Sequence, residues 1–312
     1  MKLKKLYQLV LLLLVVALLP GCMSDDYSVC PPFWGNLQLR FHPSPADGND
    51  MQMTDVETLD VYVFDEAGIY REVYREQPNL SDPNYRMQLS LPPGTYSFIA
   101  WGNSSNRDYA TVPLNFEPGV TALAEAKLFV QQITNNRIEH TLPHLFHGEQ
   151  LAVEVPEYST QEVPIPTVQN TYTFDVQIAV APVAGEPLRV VIEADHNGYD
   201  FRNQPLNTAN FEYSLYTVPA GTEQKALLRT LRIEESSAVQ FNVYRWGDTR
   251  LYSESLLQLL RTAANNSGTS LDLSRKHHYT LRLTFDQTSG QFTVTVDGWN
   301  ATEENTQISP QG

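Results

Sequence analysis

Cysteine is nearly absent: the 312-residue chain carries only Cys22 and Cys30. With neither a C-x-x-C pair nor a Cys/His spacing of the zinc type, a disulfide-dense framework and a structural zinc site are both excluded, so a hydrophobic core must supply the stability. No G-x-S-x-G element, the turn that presents a hydrolytic serine, occurs. Positive charge is scarce as well, with 21 Lys and Arg against 36 Asp and Glu and a net charge of −15. That balance argues against nucleic acid or an anionic membrane surface as a partner. A long hydrophobic run is also missing. The stretch Leu6–Leu19 is apolar apart from Tyr7 and Gln8, short of the roughly 20 residues that a spanning helix needs.

What is present at the start is a leader. Lys2, Lys4 and Lys5 precede the short apolar core, as in a secretory signal. Leu19-Pro20-Gly21-Cys22 then resembles the lipobox of bacterial lipoproteins. The resemblance implies cleavage before Cys22 and lipid on its sulfur and its new amino group, leaving Cys30 without an intramolecular partner. More than one acyl chain is needed for stable anchoring, which such a cysteine provides. Asp25 and Asp26 resemble the early acidic signal that sends Bacteroidota lipoproteins to the cell exterior; a solvated acidic linker is the alternative. Loss of residues 1–21 removes three lysines and leaves 36 acidic against 18 basic residues, a net charge of −18.

The remaining 291 residues read almost entirely as strands. Leu59–Asp65 sets Leu59, Val61 and Val63 against Asp60, Tyr62 and Phe64, and Tyr85–Leu91 passes through Pro92-Pro93-Gly94 into a strand at Thr95–Trp101. Period-two alternation recurs at Asn36–Pro43, Thr171–Pro182, Pro187–Ala194, Ala238–Trp246, His278–Asp286 and Gly290–Trp299. Ser253–Ala264 is the best helix, with Ser253 as its cap. Three prolines in Val155–Thr167 predict an extended, interrupted passage, placing a boundary near residue 150. The expectation is an all-β chain of two antiparallel β-sandwiches with little helix: residues 1–21 a lipoprotein signal peptide, 22–150 one domain and 151–312 a second.

Four elements in order now resemble a known family: "DVYVFDEAGIY" (Asp60–Tyr70), "LPPGTYSFIAWGN" (Leu91–Asn103), "LPHLFHGE" (Leu142–Glu149) and the final "VTVDGW" (Val294–Trp299). Together with the lipobox they look like the FimB/Mfa-type fimbrial anchor proteins of Bacteroidota. The resemblance implies two transthyretin-like sandwiches and a lipid-held place on the outer membrane, exposed on the cell surface. It also implies a non-enzymatic role at the base of a pilus, with a fimbrillin subunit as partner. Stalk subunits of that kind are joined by strand exchange, in which backbone hydrogen bonds give affinity and alternate side chains give specificity. The tail beyond Trp299 is polar and lacks alternation, so Gln291–Val296, with Phe292, Val294 and Val296 on one face, is the strand expected to meet a partner.

Other candidates carry less. His140, His144 and His147 have helical spacing, but Pro143 lies among them and favours a loop. His277 and His278 are neighbours on a strand and point to opposite faces. Asp47, Asp50 and Asp55 lack the spacing and closing glutamate of an EF-hand. No catalytic set, metal or cofactor is expected. With 16 Tyr and 4 Trp, Trp34, Trp101, Trp246 and Trp299 among them, aromatic stacking on sugars is the alternative function: a surface glycan-binding lipoprotein of a polysaccharide-uptake system.

Overall fold

The computed structural model describes residues 35–131, 136–158, 160–179, 186–245, 248–286 and 291–301. The first half contributes β1 (Gly35–Pro43), β2 (Leu59–Asp65), β3 (Tyr70–Glu76), β4 (Met87–Leu91) and β5 (Gly94–Gly102). An arm follows, made of β6 (Tyr109–Val112), β7 (Lys127–Val130) and β8 (Arg137–Ile138), and then β9 (Phe146–Val155) and β10 (Thr160–Gln169). The second half runs β11 (Thr171–Ala179), β12 (Arg189–Asp200), β13 (Pro205–Tyr216), β14 (Val218–Ala220) and β15 (Glu223–Leu231). After them come β16 (Gln240–Arg245), β17 (Thr249–Ser255), the helix α1 (Leu256–Asn266), β18 (His278–Asp286), β19 (Gln291–Val296) and β20 (Trp299–Asn300). Among the described residues the protein is all-β apart from that helix and two short 3-10 turns.

Seven strands form the first sheet in the order β3-β2-β5-β9-β10-β1-β4. It curls so that β2, β5 and β9 face β10, β1 and β4 across a core containing Leu37, Leu39, Val61, Val63, Phe98 and Ile165. Leu59, Val61 and Val63 are buried on one face, as their alternation requires. Tyr62 and Phe64, on the opposite face that a half-wet sheet would leave to water, are buried too. The second core, which they enter, also takes in Trp101 and residues of both later sheets.

Those two sheets are β14-β15-β11-β18-β19-β20 and β17-β16-β12-β13-β8. The arm from the first half joins the latter, because β7 pairs with β12 and β8 with β13. Gly198 makes this crossing possible. A Cβ there would lie 2.4 Å from the Leu128 carbonyl oxygen, so only glycine lets the two backbones approach. Pairing is mostly antiparallel; β1–β10, β11–β18 and β8–β13 run parallel.

Two boundaries differ from the sequence reading. The first sheet continues to Gln169, so the change of sheets falls at the buried Asn170 and not near residue 150. The prolines mislead because β10 pairs with β1 along Thr160–Thr167 but meets β9 only from Thr167 onward. Pro164 and Pro166 are two residues apart, so their missing donors fall on the side that has no ladder. The helix begins at Leu256, because Ser253 is still in β17 and Ser255 is the cap, accepting a hydrogen bond from the Gln258 amide at 3.4 Å. Ser255-x-x-Gln258 is the pattern that marks this start.

Candidate functional site

Cys22, Asp25 and Asp26 lie outside the described residues, as do Cys30, Trp34 and Trp246. The structure does fix where the chain arrives. Gly35 opens β1 opposite Leu91, Asn36 lies beside Thr160, Gly94 is opposite Val155 and Asp65 opposite Tyr96. One pole of the first half therefore holds the chain entry, the β2–β3 turn and the β9–β10 turn. The second half leaves from the other pole, through Asn170.

The strand singled out from the sequence, β19, belongs to that second half. It pairs with β18 from Gln291 opposite Asp286 to Val296 opposite Leu281. Val294 and Val296 are buried in the core, while Phe292 is half-buried against Phe285 (5.1 Å) and Tyr252 (5.9 Å). Asp297 and Gly298 both have positive φ, 51° and 88°, making a tight two-residue turn into β20. Asp297 is held there by Lys276 at 2.6 Å and by the Thr280 amide at 2.9 Å. β20 covers Thr295 and Val296, and the Ala301 amide bonds to the Val294 carbonyl. Among the described residues nothing but β18 pairs with β19 at Phe292. Trp299 is 50% exposed beside this edge.

Between the halves lies a polar joint. Asp50 accepts the His277 amide (2.8 Å), the His277 imidazole Nδ1 (2.7 Å) and the His278 amide (3.2 Å), closing a span of 227 residues. Burial pushes the Asp50 carboxyl up, but these donors outweigh it and hold its pKa below the ordinary 3.8. His277 also stacks on Tyr172, its centroid 5.4 Å away. Asn103, at φ 65°, accepts from the Glu57 and Thr58 amides and donates to the Asp55 and His144 carbonyls. Asn170 and Asn203 exchange amide hydrogen bonds, and Arg232 donates to both. The sequence offers Asp50 only as a member of a calcium loop and does not single out Asn103; the asparagine after Trp101-Gly102, where a turn needs positive φ, is a signal that points to the second.

The histidine group does not converge. His140 meets Asp108 at 2.9 Å, His144 lies 3.6 Å from Asp55, and His147 donates through Nε2 to the Phe201 carbonyl at 3.2 Å. Among the described residues no cluster of His, Cys, Asp and Glu could hold a metal ion. Trp101 is wholly buried, packed 4.6 Å from the His147 ring, and offers no face to a sugar.

Burial holds His147 neutral, lowering its pKa to about 3, only partly offset by the Phe201 carbonyl. The unfolded chain takes up this proton below the ordinary value of 6.5. Stability is therefore complete above pH 6.5 and falls toward pH 3, by at most about 1.4 kcal/mol per pH unit from this group. Urea midpoints at pH 7 and pH 5 measure it. His147→Gln keeps a donor without the titration and should remove about 1–2 kcal/mol of the loss; equal losses in the two proteins would refute this.

A family described as "Fimbrillin-A associated anchor proteins Mfa1 and Mfa2" matches residues 27–305. The major fimbrium anchoring subunit FimB of Porphyromonas gingivalis is 36% identical over 105 residues, which are 32% of this chain. The matched part spans only 33% of that relative's own length. The fimbrial anchor protein Mfa2 from Porphyromonas gingivalis superposes with a TM-score of 0.69 at 16% identity, covering 86% of this chain and 99% of that one. A putative polysaccharide binding protein from Bacteroides thetaiotaomicron gives 0.72 at 20% identity, over 88% and 100% of the two chains. At such identities the superpositions establish the fold alone.

Proposed function

The chain belongs to the family of fimbrillin-A associated anchor proteins, and from that premise we propose that it holds the base of a fimbria at the outer membrane and limits its length, without catalysis. The observation that carries the reading is a polarity. The lipid attachment proposed at Cys22 leads into the pole of Gly35, whereas β19 belongs to the half that departs from the opposite pole. A protein fixed to a membrane at one end meets its partner with the other.

In this reading a fimbrillin strand adds to β19 along the edge at Phe292, where β20 stops. The main-chain groups supply the ladder, and Phe292, with Tyr252 and Phe285 beneath it, supplies apolar contact. Val294 and Val296 stay in the core and keep the template rigid. An edge of this kind invites aggregation unless it is filled, which suits a chain that keeps a partner bound. Phe292→Asp, placed on a half-buried position, should leave a lipidated, protease-resistant protein that sheds its pili into the medium. Normal cell-bound pili in that strain would exclude β19 as the contact.

Asp25 and Asp26 are proposed as the export signal. Changing both to Ala should leave a lipidated protein that external protease no longer removes from intact cells. If shaving is unchanged, the pair is a plain linker.

A further inference from the structure

We propose that the pole receiving the N-terminus lies against the lipid surface, with the loop between β6 and β7 as its point of contact. This rests on the lipid tether at Cys22 but concerns a different part of the protein. The loop is tied to that pole: Gly119 donates to the Tyr70 carbonyl at 2.9 Å, Tyr70 to the Thr121 carbonyl and Leu123 to the Gly68 carbonyl, both at 2.8 Å. It is also stiff. The Glu117 amide bonds to the Thr121 hydroxyl at 2.9 Å, and the Thr121 amide returns to the Glu117 carbonyl at 3.0 Å. Phe116 roots it by stacking on Phe201 at 5.2 Å and meeting Tyr62 and Tyr70 at 4.9 and 5.2 Å.

On this stiff support Leu114 is 77% and Val120 66% exposed, on either side of the seated Phe116. Tyr158, in the β9–β10 turn of the same pole, is 69% exposed. Exposed apolar side chains gathered at one pole on a hydrogen-bonded loop offer a contact surface to a partner within reach. The occupant follows from the reach of the tether. Twelve residues lie between Cys22 and Gly35, so the pole can stand no more than about 45 Å from the bilayer even with the chain fully extended. Tethering keeps the local concentration of lipid high, so a few side chains suffice for contact that would be negligible in free solution. The contact is apolar and not electrostatic, because the exposed charges around it are mainly acidic: Glu66, Glu117, Glu125 and Glu157, against the exposed cation Arg71, which is paired with Asp65. The consequence would be an oriented base, with the second half aimed away from the membrane.

The test uses the lipidated protein carrying Cys30→Ser, reconstituted in phosphatidylcholine and phosphatidylethanolamine vesicles that contain a lipid-borne quencher. An environment-sensitive dye is placed by Leu114→Cys, Val120→Cys or, at an exposed position of the far half, Val218→Cys. Dye at 114 and 120 should emit further to the blue and be quenched at least about twice as strongly as dye at 218. Equal quenching at the three positions, in protein that floats with the vesicles, would overturn the contact while leaving the tether standing. Shielding at 114 that appears only on adding the pilus subunit would overturn it in favour of a protein interface. Protein that does not float at all would overturn the tether, and this inference with it.

Discussion

Replacing Val61 with aspartate should unfold the first half of the protein. Val61 is wholly buried in the centre of β2, between Ala100 of β5 and Tyr74 of β3, in the core that β1, β4 and β10 close from the other side. A carboxylate there has no partner, and the loss should reach about 4 kcal/mol or more. That is a large share of the 5–15 kcal/mol that keeps a typical domain folded. The damage would not stay in one core, since Tyr62 and Phe64 on the reverse of the same strand belong to the core shared with the second half. A fall in the urea midpoint, or recovery only in aggregates, is the expected result, with the exposed Glu72→Ala as control. A soluble Val61→Asp protein with the parent midpoint would show the buried face to be wrong.

That strand also shows how far the sequence could be read. Alternation identified β2 and the face bearing Val61, because one face of a sheet against a core leaves a period of two. It missed the burial of Tyr62 and Phe64 because the cover comes from Phe116 and Phe201, which are 54 and 139 residues downstream of Tyr62 and carry no local signal. A strand covered on both faces reads as a hydrophobic run, and Asp60 broke that run. Asp60 is itself buried, its carboxyl pushed up by burial against the pull of Arg75 and Ser104. The joint was equally hidden: Asp50 and His277 are 227 residues apart, and neither spacing nor periodicity links them. β19 was legible as a strand. That Val294 and Val296 are committed to the core, leaving Phe292 as the reachable side chain, depends on β20 and α1 folding over it.

The largest functional effect should come from cutting the tether. Cys22→Ser removes the sulfur that the lipid needs, so the precursor should remain uncut and unlabelled by palmitate, and should be lost from the outer membrane. The β-sandwiches beyond Gly35 should fold regardless, because both hydrophobic cores are built from residues downstream of Gly35. A folded but untethered anchor and a missing anchor then predict the same phenotype: subunit production intact, and long pili released into the medium. The likeness of the two phenotypes is the informative part, since a glycan-capture protein would lose growth on a polysaccharide and leave pili untouched. Cell-bound pili of normal length in the Cys22→Ser strain, with equal membrane recovery and palmitate label, would end the lipoprotein reading. Normal pili in the deletion strain would end the anchor reading itself, because no tether then needs to exist for the pilus to stay on the cell.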